Sequence, residues 1–561
     1  MGVSLRGVES PADGHSPVDH ERIAPKGFKS LRDVSKDRGA LWGFATFGGP
    51  PLILFVCFLL IPVSAGQILG SAAVVLLGLA SLGCFGAGIL YFGHRYNLPT
   101  GLILIILAVC AHWTNDNHQI RHLDTPIVRR DLLEERLDAW HKHATDSDGS
   151  AKPTSENSKH PLFIVATEGG GIRAAYWTSL VLSGLEDFSI KQHERRFSDH
   201  LFAISGVSGG SFGGAAYTAF IADPKNGVSF ADRTHAFLGQ EYLGPLVGRM
   251  LFTDSLQRFC PLRVSHFDRA SSFEIAWEEA WRGKDVHGDS PRLFSNGFAE
   301  LYRDCSDRKI WLPGLFLNGT NVETGGRIIT SSWDFKDADG STFVNAIDGV
   351  TKMEAPLRMS TAAHSSARFT YFNPPGRYPD GTHVVDGGYF ENSGGQTAHD
   401  ILARVLRKMW SDPTWHDVEP HLIIIRNGLD VPSTPEAQAA AARRLRENHS
   451  LSELLAPLAT LWNTRTAHAE SSLRELEEQP ILAATLNPHE TAEKNEGNGS
   501  WTVFPHHEFF LLNESTSVPL GWALSNTAIE EMHRQFLQRE RGQAVQSILT
   551  TLKFSYVGIS Q

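Results

Sequence analysis

The sequence predicts an α/β domain over residues 161–561, carried behind an all-helical transmembrane anchor. Three observations lead to this. Between Leu41 and Trp113 the only full charge is Arg95, and the stretch divides into three apolar runs. After residue 160, two short continuous apolar runs, PLFIVAT (161–167) and HLFAIS (200–205), each lead through a glycine-rich turn into a segment with helical spacing, the pattern of buried parallel strands followed by helices. No linker-like stretch interrupts the chain beyond them. At 42% hydrophobic and 20% charged residues the 561-residue chain is not disordered, and its net charge of −11 gives no basic face for nucleic acid. It carries no CxxC pair and no HExxH, so neither a metal nor a cofactor is expected.

Residues 1–40 form a polar, basic tail. The apolar runs cover 41–64, 68–92 and 98–113. Crossing a hydrocarbon core takes roughly 20 helical residues. The first two runs meet that length; the third spans about 24 Å at ~1.5 Å per residue. A cleaved signal peptide does not fit, because a long polar tail precedes the first run. Three transmembrane helices are therefore expected over 41–113, with the lipid bilayer as partner. DLLEERLDAW (131–140) places Leu133, Leu137 and Trp140 on one helical face. That helix either lies on the membrane surface or packs as a stalk on the next domain. Residues 141–160 read as a linker, so 114–160 is an amphipathic helix plus linker.

In the large domain, EGGGIR (168–173) stands between the first strand and the helix AAYWTSLVLSGLEDF. Gly169, Gly170 and Gly171 thus lie on a strand-to-helix turn, where free backbone N–H groups suit an anion. The dinucleotide pattern fails at Ala174 and the P-loop pattern lacks its Gly-Lys-Ser/Thr. Taken alone the turn reads equally as a tight structural bend. The second unit carries GVSGG (206–210), a G-x-S-x-G at a strand-to-helix junction. There Ser208 is held in a strained conformation that small neighbours, Gly206 and Gly210, permit.

A serine hydroxyl needs a base. The chain has 25 histidines, and His399, His421, His468, His489, His506 and His507 follow the serine without a shared local context. More distinctive is THVVDGGYFENSGG (382–395), an apolar strand end followed by Asp386, Gly387 and Gly388.

EGGGIR, GVSGG and DGG in this order resemble the patatin-like phospholipases, serine acyl hydrolases. The resemblance implies a three-layer α/β/α domain with a mixed central sheet and a Ser–Asp dyad without histidine. On that basis Ser208 is the nucleophile, Asp386 the base, and Gly169, Gly170 and Gly171 the oxyanion hole, with Arg173 supporting the glycine loop. LNGTNVETGGRIITSS (317–332) and MSTAAHSSARFTYFNPPG (359–376) are also similar to the family. Glu168 and Ala174 depart from it, at positions where many members have Asp and Gly. The resemblance covers roughly 160–396. The substrate it implies is a membrane lipid or other acyl ester. At an ordinary carboxylate pKa near 4 Asp386 is a poor base, so burial or its apolar neighbours Val384, Val385 and Tyr389 must raise it.

Two other readings remain open on the residues alone: an α/β-hydrolase-type esterase with a Ser–His–Asp triad, and a non-catalytic membrane scaffold. Basic residues near span ends favour the cytoplasmic side. Six lie within 20–40, one (Arg95) between the second and third runs, and three (Arg121, Arg129, Arg130) after the third. With three spans this predicts a cytoplasmic N-terminus and a catalytic domain on the non-cytoplasmic side. Cys260 and Cys305, the two cysteines of the large domain, are available to pair in an oxidising compartment.

Overall fold

The structure, a computed structural model, describes residues 38–112, 115–147, 160–193, 196–225, 227–283, 292–337, 340–369, 371–427, 464–465, 467–476, 505–511 and 521–554. The segment TPEAQAAAARRLREN (434–448), whose sequence reads as an exposed helix, and His489 lie outside these.

The apolar segment folds as four helices: α1 (Arg38–Leu60), α2 (Pro62–Leu69), α3 (Ser71–Tyr96) and α4 (Thr100–Ala111). One of them, over Ser71–Tyr91, is long and apolar enough to cross a membrane; the apolar stretches Ala45–Leu60 and Thr100–Ala111 are shorter. The first apolar run does not continue to residue 64, because Pro62 starts a separate short helix. Within it Pro62, Val63, Ala65 and Gly66 are buried. The α4 helix is about 18 Å long at ~1.5 Å per residue.

The domain is built on a nine-stranded sheet: β1 (His160–Thr167), β2 (Leu201–Val207), β3 (Gly314–Asn321), β4 (Arg327–Ser331), β5 (Ala346–Asp348), β6 (Gly376–Arg377), β7 (His383–Asp386), β8 (Val418–Arg426) and β9 (His506–Phe510). The main order is β5-β4-β3-β2-β1-β8-β9, with β7 on β3 and β6 on β7. The β1–β2, β1–β8, β2–β3, β4–β5 and β8–β9 pairs are parallel; β3–β4, β3–β7 and β6–β7 are antiparallel. The sheet is therefore mixed, as expected.

Helices cover both faces, which explains why the central strands read as unbroken apolar runs. Along β1, Phe163 and Val165 point into one core, with α6 (Gly171–His193) and α7 (Gly209–Ala222). Leu162, Ile164 and Ala166 point into the other. That second layer contains α5 (Leu133–Ser147), whose Leu133, Leu137, Trp140 and Ala144 are all buried against the sheet. The stalk alternative is thus the observed one, and the domain's core begins ahead of Pro161. The cysteine pair that the sequence allows is not formed. Cys305 is buried on the helix Phe298–Asp307, Cys260 sits on a surface loop, and neither is in a disulfide.

Candidate active site

The register of β3 brings the two motifs together. The β2 strand runs parallel to β3 and ends with Val207 opposite Asn318. The β7 strand arrives antiparallel and sets Asp386 opposite Gly319. With β4 on the other edge of β3, β2 and β7 share one edge and meet end to end there, so Ser208 and Asp386 come to one point.

Ser208 has φ 52° and ψ −120°, directly ahead of α7. This strained backbone is tolerated because the neighbouring residues lack side chains. A Cβ on Gly206 would lie 2.7 Å from Ser211 N, and one on Gly210 2.6 Å from the Glu168 carbonyl. The Ser208 N–H donates to Ser366 Oγ at 2.9 Å, and that hydroxyl donates to the Asn318 carbonyl at 2.5 Å.

Asp386 is buried, 3% exposed. Its Oδ1 accepts the Gly388 N–H at 2.9 Å. Oδ2 has no partner in full hydrogen-bond geometry, and the Ser208 hydroxyl is the side-chain donor acting on the carboxylate. Such looseness is common in unliganded sites. Burial pushes the Asp386 pKa up; the Ser208 hydroxyl, the Arg465 charge and the Gly388 N–H each draw it part of the way back. Gly387 packs so closely that a Cβ would fall 2.0 Å from the Asn318 carbonyl.

The glycine loop divides its labour. Gly170 and Gly171 line the same cavity as Ser208 and Asp386, and among the described residues their N–H groups have no acceptor. Gly169 differs from the expectation. Its N–H donates to the Asn392 carbonyl at 3.0 Å, so it is not free for an oxyanion. Its role is close approach, since a Cβ there would lie 2.9 Å from Ser208 Cβ. Arg173 reaches the loop through an intermediary. Its Nε and Nη2 donate to Asn427 Oδ1 at 3.0 and 2.8 Å, and Asn427 Nδ2 donates to the Gly169 carbonyl. Glu168 Oε2 accepts the Asn427 N–H and Oε1 pairs with Arg426 at 3.1 Å. Burial pushes Glu168 up to about 7 against the Arg426 charge.

The cavity measures about 310 Å³ and is walled by Leu243, Phe369, Phe372 and Trp522, with Arg465 beside the carboxylate. No histidine lines it among the described residues. His421 and His507 stack on each other on β8 and β9, and His468 bonds the Phe390 carbonyl, so nothing observed carries a histidine triad. Asn392, Asn427, Ser366 and Arg465 were not legible as site residues. Ser366 falls inside 359–376, one of the stretches similar to the family, and Asn392 inside THVVDGGYFENSGG (382–395), but no motif marks either. Chemically the arrangement joins a hydroxyl, a buried carboxylate and two unsatisfied N–H groups at the floor of an apolar cavity.

The sequence matches no family model and no curated protein. Among solved structures, VipD from Legionella pneumophila aligns at a TM-score of 0.30 with 10% identity, covering 70% of this chain and 67% of that one, a likeness too slight to bear on function.

Proposed function

We propose that this chain is a membrane-anchored serine acyl hydrolase of the patatin-like phospholipase type, acting on carboxylic esters of lipids. The observation that carries the reading is the meeting of strained Ser208 with buried Asp386 in an apolar cavity beside the Gly170 and Gly171 N–H groups. Asp386 takes the hydroxyl proton as Ser208 Oγ attacks the ester carbonyl carbon. The two N–H groups stabilise the oxyanion of the tetrahedral intermediate. Protonated Asp386 then gives its proton to the departing alcohol, leaving an acyl-serine. Asp386 next deprotonates a water that hydrolyses this ester and returns the proton to Ser208. A fluorophosphonate probe tests the reading directly: it should label wild type and not Ser208→Ala, and a wild-type protein that resists the probe would refute it.

The anchor reading has its own support. The end of α1 is held to the domain, where the Leu59 carbonyl accepts from Arg249 at 3.4 Å and His266 lies 3.2 Å from it. At the start of α3, Ser71 donates to the Glu241 carboxylate. These contacts support a reading in which the domain lies at the membrane face where α1 ends and α3 begins, as three crossings with a non-cytoplasmic domain would require. A C-terminal alkaline phosphatase fusion should be active; an inactive one, with a fluorescent matching fusion, overturns this sidedness.

A further inference from the structure

Among the described residues, two charged side chains line the catalytic cavity, Asp386 and Arg465. The rest of its lining is glycine, the Ser208 hydroxyl, and the apolar or aromatic side chains of Leu243, Phe369, Phe372 and Trp522. The two charges are close together. A Cβ built on Gly388 would stand 3.0 Å from Arg465 Nε and 3.0 Å from Asp386 Oδ1. Nitrogen and oxygen are therefore at most about 6 Å apart, within the range where an opposite charge favours an ionised carboxylate. Buried surroundings screen that attraction less than open solvent does.

Arg465 lies in NTRTAHAE (463–470), beyond the stretch that resembles the family, and no motif marks it. Residues 464–465 and 467–476 are helical, and this helical segment is held from both sides of the site. Leu473 and Leu476 are buried in the core that covers one face of the sheet. A Cβ on Gly395 would lie 3.2 Å from Leu473 N. His468 Nδ1 is 3.1 Å from the Phe390 carbonyl, in the loop that follows Asp386. Glu470 pairs with Arg426, which in turn pairs with Glu168 at the head of the glycine loop. The place of Arg465 thus depends on contacts with both halves of the site.

The other charged groups around Asp386 have their own partners. Arg368, whose carbonyl accepts the Asp386 N–H, turns its guanidinium to Glu274. Arg327 pairs with Asp400 at 2.8 Å. Glu391 Oε2 accepts the Ser393 N–H and hydroxyl at 2.7 and 2.6 Å. On the strand of Asp386 itself, His383 lies between Glu323 and Asp116. Burial favours the neutral acid at Asp386, while the Ser208 hydroxyl, the Arg465 charge and the Gly388 N–H favour the carboxylate. Of these three only Arg465 carries a charge. A protonated Asp386 could not accept the serine proton, so what opposes burial here decides whether the base exists.

We propose that Arg465 is the counter-ion of the general base, its guanidinium keeping Asp386 ionised in the resting site and so ready to take the Ser208 proton. The proposal rests on the hydrolase reading for the identity of the base. Arg465 is here a positioning residue that acts through Asp386. As the Ser208 Oγ–carbon bond forms, the Oγ proton passes to the carboxylate and negative charge appears on the carbonyl oxygen; the guanidinium keeps its own protons throughout. Removing its charge favours the neutral acid, so the acid limb of the reaction must move to higher pH.

The test uses the full-length protein in neutral detergent, as wild type, Arg465→Gln and Arg465→Lys. The rate of Ser208 labelling by an uncharged fluorophosphonate, and kcat/KM on an uncharged short-chain ester, are followed from about pH 4 to about pH 9. In Arg465→Gln the acid limb of both should move up by at least about one unit, so that the rate below the limb falls about tenfold more than the rate above it. Arg465→Lys keeps the charge and should keep the limb within about half a unit of wild type. A loss of equal size at every pH, with the limb unmoved, marks a merely structural residue and overturns the proposal. So does a lysine variant shifted as far as the glutamine one. A limb that stays in place while esters bearing an anionic group lose rate selectively makes Arg465 a grip on substrate, and also overturns it. Failure of the hydrolase reading would show separately, as wild-type protein that the fluorophosphonate does not label at any pH.

Discussion

Gly209, the residue after the nucleophile, gives a sharp test of how the site is assembled. A Cβ built on it would lie 1.9 Å from the Gly171 carbonyl oxygen, 2.8 Å from its carbon and 3.0 Å from its nitrogen. All three atoms are backbone, so no side chain can swing aside. Restoring van der Waals contact requires a separation of about 1.5 Å between the start of α7 and the start of α6. The first carries Ser208 and the second carries the Gly171 N–H. Gly209→Ala should therefore pull nucleophile and oxyanion donor apart. Misplacement on the scale of 1 Å, or loss of one donor, costs roughly 100-fold in turnover. Forcing a methyl into a packed contact costs about 1–3 kcal/mol of stability, against which the better helix propensity of Ala returns only about 0.5–1 kcal/mol. The assay is kcat/KM on a short-chain ester, with thermal unfolding measured on the same preparation. A folded Gly209→Ala enzyme within about threefold of wild type would refute this account of the oxyanion site.

Asp386→Asn should abolish turnover and yet raise the unfolding temperature at pH 7. Burial lifts the carboxyl pKa, so the group's stabilising contribution is present in acid and lost as pH rises through the folded-state value; the advantage of Asn should shrink toward pH 4. Asn427→Ala removes the link from Arg173 to the Gly169 carbonyl and should lower kcat by roughly tenfold with the serine still labelled, a loss that Arg173→Ala should match without adding to it. Glu168, lifted by burial to about 7, likewise contributes stability below pH 4 that is lost as pH rises through about 7. Glu168→Gln should therefore unfold at a less pH-dependent temperature between pH 5 and pH 8, and an unchanged pH dependence would count against the burial.

The parts of the site that could be read from sequence are those where the requirement is local. The apolar runs of β1 and β2 announce strands buried on both faces, and GVSGG and DGG mark chain reversals that side chains would obstruct. What stayed hidden depends on register. Nothing near Asn427 shows that β8 pairs with β1 so as to end beside the glycine loop, and nothing near Asn392 shows that its carbonyl takes the Gly169 N–H. Three adjacent glycines look equivalent in sequence, and only the fold assigns one to packing and leaves two as donors. Leu133, Leu137 and Trp140 show an amphipathic face without showing what covers it, which is the sheet. The cysteines gave no geometric information at all, and the pairing allowed by their number is not realised.

The apolar helices pack closely against the domain that carries the site. Gly66 and Gly244 pack backbone to backbone: a Cβ on Gly66 would fall 2.2 Å from Pro245 N, and one on Gly244 2.4 Å from the Gly66 carbonyl. Phe58 stacks on Phe252 with centroids 5.0 Å apart. The Glu241 carboxylate accepts the Gly244 N–H at 2.7 Å together with groups of Leu243 and Ser71, capping the cavity-lining helix Leu243–Arg249 and α3 at once. Leu243 opens that helix and forms one wall of the catalytic cavity. A flexible tether would leave the domain free to reorient, but here any movement of α2 relative to the domain must break the Gly66–Gly244 backbone packing and disturb the helix that begins with Leu243. The place of Leu243 in the cavity wall is therefore held in part by packing at Gly66, Gly244 and Glu241, so a change in the apolar helices reaches the site through the helix Leu243–Arg249.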